Sequence, residues 1–340
     1  MSNRDVLAIG TSAGGVEALA FLAARFPPQF PAAVLVTIHL SSQFRSAMDE
    51  VLSRAGPLPA SFAKHGEVFR KSHIYLAPPD RHLLVDGDRL HLGAGPRENN
   101  ARPAIDAMLR SVAVCCGSRA VGVVLTGTLG DGASGLWAIN QCGGMSVVQD
   151  PKDAAFSEMP LNALNRTRPD HVVPLTQMPT LLESMVHQPA GAPMPAPESI
   201  KFEVEIARTG HSTMEEMDRF GRRSVLACPD CQGVMWEIDE GNLMRYRCHV
   251  GHTYTAELMS VALDESLRRA LASAVRALEE RLALARKLYE QSKESGHRHA
   301  DAWAAKAREY ARELDVVRES IQRMDEIAAR AGRAQTEAAQ

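Results

Sequence analysis

No stretch of this 340-residue sequence approaches the ~20 consecutive apolar residues that a membrane span requires, so insertion into a bilayer is not expected. An export signal is missing too. Met1-Ser2-Asn3-Arg4-Asp5 runs straight into Val6-Leu7-Ala8-Ile9-Gly10, far too short a core for a cleaved leader. Charge of one sign is scarce: the net value is −3, which gives no general attraction to nucleic acid or to anionic lipid. Cysteine is sparse, with six residues, and without an export signal those six are expected to stay reduced. A cytoplasmic location is the default expectation. What is present is ordinary for a globular chain: hydrophobic residues make up 45% and charged residues 23%, enough to bury a full core. At roughly 100–200 residues per domain, the length predicts about two domains.

Residues 1–186 read as alternating strands and helices. Short apolar runs ending in turn chemistry fall at Val6–Ile9, Ala33–Ile38, His73–Ala77, Ala120–Leu125 and Met145–Val148. Helix-like stretches at Gly15–Arg25, Phe44–Ala55, Ala104–Cys116 and Ser134–Gln141 lie between several of them, and Pro103 marks a helix start. This alternation predicts an α/β fold, a doubly wound and mostly parallel sheet covered on both faces. A hairpin is predicted from His82 to Leu92, turning at Asp86-Gly87. Residues 187–221 read as a linker, rich in proline and alanine at its start. A small cysteine-bearing module follows at 222–254. A C-terminal α-helical hairpin is predicted over 255–332, with one stripe from Leu267 to Tyr289, another from Trp303 to Met324, and Gly296 at the turn.

Gly10-Thr11-Ser12-Ala13-Gly14-Gly15 follows the first strand and precedes a helix. A serine in such a turn projects its hydroxyl from the carboxyl edge of the sheet, and small neighbours permit the tight backbone. The amides of Ala13 and Gly14, near a helix amino end, are placed to steady an oxyanion. Two other readings stand beside this one: a glycine-rich phosphate cradle and a plain helix cap. The spacing is not G-x-G-x-x-G, and no acidic residue closes the second strand to hold a ribose. That strand ends instead in Thr37-Ile38-His39, which puts an imidazole at the same sheet edge as Ser12. Histidine there is suited to take the serine proton and return it to a leaving group. After the strand 120–125 comes Thr126-Gly127-Thr128-Leu129-Gly130-Asp131-Gly132, and Asp131 is the leading candidate to orient the imidazole. An aspartate in a turn before a helix is its plainer reading. The chain order serine, histidine, aspartate disfavours a lipase-type fold.

The segments GTSAGG (10–15), IHL (38–40), IYLAPPDRHL (74–83), GPRENNARPAIDAML (95–109) and VVLTGTLGDGASG (123–135) resemble the catalytic domain of the chemotaxis protein-glutamate methylesterases. The resemblance covers about residues 5–186. It implies hydrolysis of glutamate γ-methyl esters on chemoreceptor signalling helices with release of methanol, and related enzymes also deamidate receptor glutamines. It places Ser12, His39 and Asp131 at the family's triad positions. It also implies oxyanion donors from the backbone at Gly127 and Thr128; the family usually has methionine where Thr128 stands, which leaves a backbone donor intact. Arg102 and Asp106 are implied, more weakly, to line the substrate cleft; a capped helix with a surface ion pair is the other reading of the same residues. Regulated members carry an amino-terminal receiver domain. With the first strand beginning at residue 6, none is expected here, and activation by phosphorylation is not carried over. Two alternatives remain: a non-enzymatic signalling adaptor, and an esterase of the same fold acting outside chemotaxis.

The resemblance is silent on the tail. Cys228-Pro229-Asp230-Cys231 and Cys248-His249-Val250-Gly251-His252 carry the spacing of two ligand pairs for tetrahedral zinc, with Trp236–Ile238 and Leu243–Arg247 forming a hairpin between them through Gly241-Asn242. Cys228, Cys231, Cys248 and His252 are the preferred ligands, and His249 competes for the fourth place. A reduced cysteine pair and a redox C-x-x-C are the other readings. A closed site of this kind is structural, since a segment so small has little core of its own. No cofactor is expected in catalysis. Module and hairpin together are expected to localise or regulate the enzyme, the hairpin by binding other chemosensory proteins.

Overall fold

Six consecutive buried residues form the first strand, β1 (Val6–Thr11). A strand without polar alternation is covered on both faces, and the chain supplies those covers as helices threaded between strands. In order the elements are β1, α1 (Gly15–Ala23), β2 (Ala33–Ile38), α2 (Met48–Ala55), β3 (Ala60–Phe62), β4 (Ile74–Leu76), β5 (His82–Asp86), β6 (Arg89–Gly93), α3 (Ile105–Cys116), β7 (Ala120–Val124), α4 (Ala133–Gln141), β8 (Met145–Gln149), α5 (Glu158–Arg166), β9 (His171–Val173), α6 (Met178–His187), α7 (Glu198–Thr209), α8 (Met214–Phe220), β10 (Arg222–Ala227), β11 (Val234–Glu240), β12 (Leu243–Cys248), β13 (Thr253–Thr255), α9 (Ala256–Glu294) and α10 (Ala300–Ala338). The structure, a computed structural model, describes residues 3–39, 46–240, 243–294 and 300–338. Phe44, Gly241-Asn242 and Gly296, to which the sequence assigns a helix start and two turns, lie outside the described residues.

The main sheet has seven strands in the order β3-β4-β2-β1-β7-β8-β9. Every pairing in it is parallel. Leu19, Leu22, Leu52, Leu182 and Met185 cover one face. Ile105, Met108, Leu109, Leu136 and Ile139 cover the other. The order runs outward from β1 in both directions, so the edge between β1, β2 and β7 is a topological switch point, where crevices open at the carboxyl ends of strands. The hairpin of β5 and β6 pairs antiparallel, as its turn chemistry predicts, with Gly87 at φ 62°.

Residues 198–220 depart from the expected linker. They form α7 and α8, and α7 is part of the core rather than a tether. Its Ala207 packs with Leu84, Ala104 and Ala107 beside α3. Its Ile206 packs with Met217, Trp236 and Ile238 of the following module. The module itself is a four-stranded antiparallel sheet, β10-β11-β12-β13. The expected hairpin is β11 and β12, with Trp236 opposite Arg247.

The chain divides into two compact units, residues 1–259 and 260–340. The first holds all three described sheets. In the second, α9 and α10 run antiparallel: Arg268 Nη1 meets Asp325 Oδ1 at 2.9 Å and Arg318 Nη2 meets Glu279 Oε1 at 2.7 Å. Leu282, Ala285 and Leu314 are buried there, whereas Leu267, expected on the apolar stripe, is 48% exposed. No described helix is long and apolar enough to cross a membrane.

Candidate active site

Parallel register sets the geometry before any side chain is considered. Thr11 pairs with Ile38 at the ends of β1 and β2, so Ser12 and His39 leave the sheet side by side. On the other flank Leu125 N donates to Gly10 O at 3.0 Å and Ser12 N to Thr126 O at 3.1 Å, which brings the loop after β7 against the serine turn. Gly14 takes φ 73°, a conformation that favours glycine, and lets the chain reverse from β1 into α1. Thr126 Oγ1 donates to Ala13 O at 3.0 Å and pins that turn to the β7 loop.

The three candidates meet. His39 Nδ1 lies 3.1 Å from Ser12 Oγ, and His39 Nε2 lies 2.9 Å from Asp131 Oδ2. The arrangement assigns the ring proton to Nε2, donated to the carboxylate, and leaves the Nδ1 lone pair facing the hydroxyl. Asp131 is 2% exposed, and its oxygens accept from Ile105 N at 2.7 Å, Asp106 N at 3.1 Å and Asn99 Nδ2 at 3.2 Å. The first two donors are the opening amides of α3, which have no partner inside their own helix. Burial alone would raise the Asp131 carboxyl; the hydrogen bond and charge of His39, with the two amides, outweigh it and hold the pKa below the usual aspartate value. The site therefore contains an ionised acid, an oriented imidazole and a half-buried hydroxyl, the parts of a nucleophilic relay.

Gly127 and Asp106 stand differently from their sequence reading, and Arg102 is held in an ion pair. Gly127 N, expected as an oxyanion donor, donates to Phe156 O at 3.0 Å and is committed there. Gly127 matters for another reason: a Cβ there would lie 2.1 Å from Met159 Sδ and 2.9 Å from Ser12 Cβ, so only glycine lets the loop close on the serine. Among the described residues, the amides of Ala13 and Thr128 have no acceptor. Asp106, expected in the cleft, is 1% exposed and faces inward, accepting from Gly132 N at 2.9 Å and Gly135 N at 2.7 Å. Burial first, then the Asp131 charge, pushes its carboxyl up to about 8. Arg102 binds Asp80 Oδ1 through Nη2 at 2.7 Å and Gly95 O through Nη1 at 2.9 Å, clamping the loop before α3.

Asn99 is the residue that sequence reasoning missed. Its Nδ2 donates to both Asp131 Oδ1 and Asp106 Oδ2, and its backbone stands at φ 50°. Two adjacent asparagines, Asn99 and Asn100, both in the left-handed region, were the available signal, because asparagine tolerates that conformation better than most residues. Away from this site, Cys228, Cys231, Cys248 and His252 converge with all four ligand atoms within 4.8 Å of one another; His249 is not among them.

Known proteins match the same part of the chain. The family model described as CheB methylesterase matches residues 7–182. A Methanosarcina mazei protein named protein-glutamate methylesterase/protein-glutamine glutaminase 2 is 36% identical over 185 residues, 52% of this chain and 50% of its own. A Xanthomonas oryzae protein of the same name is 38% identical over 177 residues, 51% of this chain and 49% of its own. This chain thus spans about half the length of each. The crystal structure of the Thermotoga maritima CheB methylesterase catalytic domain aligns with TM-score 0.52 and 28% identity, covering 55% of this chain and 100% of that one. A sheet of this order, a serine turn at its switch point and a family match over 7–182 lead to one conclusion: the chain belongs to the CheB methylesterase family.

Proposed function

We propose that the chain is a serine hydrolase acting on glutamyl γ-methyl esters of chemoreceptor signalling helices. The observation that carries this reading is the continuous relay from Ser12 Oγ through both nitrogens of His39 to Asp131. Ser12 Oγ attacks the ester carbonyl as His39 Nδ1 takes its proton. The tetrahedral oxyanion sits against the Ala13 and Thr128 amides at the amino end of α1 and in the β7 loop. Collapse expels methanol, which receives the proton from His39 and leaves an acyl-enzyme on Ser12. Water, deprotonated by His39, then releases the glutamate side chain and regenerates the serine. A primary amide enters the same sequence with ammonia as the leaving group, which extends the reading to receptor glutamines. Asp131 keeps the Nε2 proton in place and balances the imidazolium.

The test is methanol release from a methylated receptor, with Ser12→Ala beside wild type. We expect the variant to fall by about 10⁴-fold or more, to the background that oxyanion donors and binding supply alone. Undiminished methanol release from Ser12→Ala would refute the assignment. Wild type that cleaves simple esters and leaves methylated receptor untouched would place its substrate outside chemotaxis.

A further inference from the structure

Four ligand atoms in the second half of the first unit lie within 4.8 Å of one another. Cys231 Sγ and Cys248 Sγ are 3.6 Å apart. His252 Nδ1 stands 3.7 Å from Cys228 Sγ and 3.5 Å from Cys248 Sγ. Zinc bonds of about 2.3 Å to sulfur and about 2.0–2.1 Å to nitrogen give tetrahedral edges of about 3.8 and about 3.6 Å. A disulfide would instead need about 2.05 Å between sulfurs. The backbone is built for the same purpose. Gln232 N and Gly251 N fold back on the carbonyls of Cys228 and Cys248, each at 2.8 Å, forming two tight knuckles. Asp230 Oδ2 lies 3.9 Å from the far nitrogen of His252, longer than a hydrogen bond, and accepts the Tyr254 hydroxyl at 2.6 Å, a carboxylate beside the ligand imidazole.

The second knuckle touches the loop that carries Asn99. A Cβ on Gly251, which sits at φ 105°, would lie 2.5 Å from Pro96 Cγ. One residue past His252, Thr253 O accepts from Asn99 N at 2.8 Å, and Asn99 Nδ2 then reaches Asp131. We propose that Cys228, Cys231, Cys248 and His252 bind one zinc ion in a closed site, and that the knuckle it fixes holds Asn99 against Asp131, so that metal occupancy sets the catalytic competence of Ser12. The ion fills every position with protein ligands and activates no water. Asn99 is a positioning residue: it touches the acid of the relay and not the substrate. The coupling rests on the acyl-transfer reading above; the metal site does not.

The experiment uses the full chain. Zinc content is measured by elemental analysis, and cobalt(II) replaces zinc so that thiolate-to-metal absorption reports a tetrahedral sulfur-rich site. We expect one zinc per chain, lost in Cys228→Ser and bound about 10–100-fold more weakly in Asp230→Asn, which keeps all four ligands. A wild-type chain that binds no zinc overturns the proposal, as does a cobalt spectrum of octahedral type. Chelation, and restoration with zinc chloride, is then followed by kcat and KM on methylated receptor. Removing the metal should lower kcat about tenfold with KM unchanged, on the scale of one charge-assisted hydrogen bond. Asn99→Ala should show the same loss with zinc bound and no further loss without it, a non-additive cycle. Full kcat in the metal-free protein, additive losses, or a fall in kcat that tracks loss of far-ultraviolet circular dichroism would overturn the coupling. Zinc-loaded wild type that hydrolyses no ester at all sinks the acyl-transfer reading and leaves the stoichiometry and cobalt arms to decide the metal site.

Discussion

In the proposed relay Ser12 acts only as far as its neighbours keep it against His39, and one of them is a residue with no side chain. Gly127 lies where a methyl group would collide with Met159 and Ser12 at once. Gly127→Ala should therefore lower kcat by about 10²-fold through misplacement of the nucleophile, while KM changes little; steady-state kinetics on methylated receptor check it, and a change confined to KM would contradict it. Asp106 makes a different prediction. Its carboxyl titrates at about 8 in the folded protein against an ordinary 3.8, so the folded state holds a proton that the unfolded chain gives up. The stability this contributes is complete below 3.8 and drains away as pH rises through about 8. Asp106→Asn should flatten the fall of stability across that window, as read by urea denaturation at successive pH values. A variant with the wild-type slope would show that the Asp106 carboxyl does not titrate there.

At the scale of elements, α3 and the acid of the relay support each other. Asp131 satisfies the first two amides of α3, and those amides add to the larger effect of His39 in holding the Asp131 carboxyl below its usual value. Asp131→Asn retains one of the two acceptors that the helix amides use and cannot balance the imidazolium, so kcat should fall by about 10⁴-fold with a smaller loss of stability than the alanine variant. Asp131→Ala should lose as much activity and a further ~1 kcal/mol from the uncapped helix, measurable by urea denaturation. Equal stability of the two variants would contradict the capping role. These elements were legible in the sequence because each strand ends in a local signal: glycine after β1, histidine after β2, a glycine-rich loop after β7. Parallel register then carries Ser12, His39 and Asp131 to one edge with no further information. The short edge strands β3 and β9 gave no such signal, having three residues each. Nor did α7, whose proline-rich approach reads as linker; its worth as a core helix lies in Ala207 and Ile206 fitting partners that are distant in sequence. Asp106 was misread for the same reason, since a carboxylate in the first turn of a helix looks alike whether it faces solvent or the core.

Across the first unit as a whole, a buried ionic cluster joins the second sheet to the first. Arg110 of α3, Glu203 of α7, Arg245 and Arg247 of β12, Glu240 of β11 and Glu98 beside Asn99 are all buried, three cations against three carboxylates. Glu203 sits between Arg245, Arg110 and Arg247, with Arg247 Nη1 at 2.9 Å from its Oε2. Burial would raise its carboxyl, but the three guanidinium groups bring it down to about 2 from an ordinary 4.5. Its stabilising contribution is present above 4.5 and is lost as pH falls through about 2. Glu203→Gln strands buried arginines and should cost about 3–5 kcal/mol in urea denaturation at neutral pH; a loss below about 1 kcal/mol would mean the cluster is not what joins the two sheets. The sequence cannot announce such a cluster, because each charge looks solvated until its partners are placed. The relay remains the centre of the account, and the intact mass of the full chain tests it most directly. After a rapid acid quench during turnover of an activated ester, one acyl group should be found per chain, located on Ser12 and absent from Ser12→Ala and His39→Ala. Turnover with no adduct, or an adduct that persists in Ser12→Ala, would contradict it.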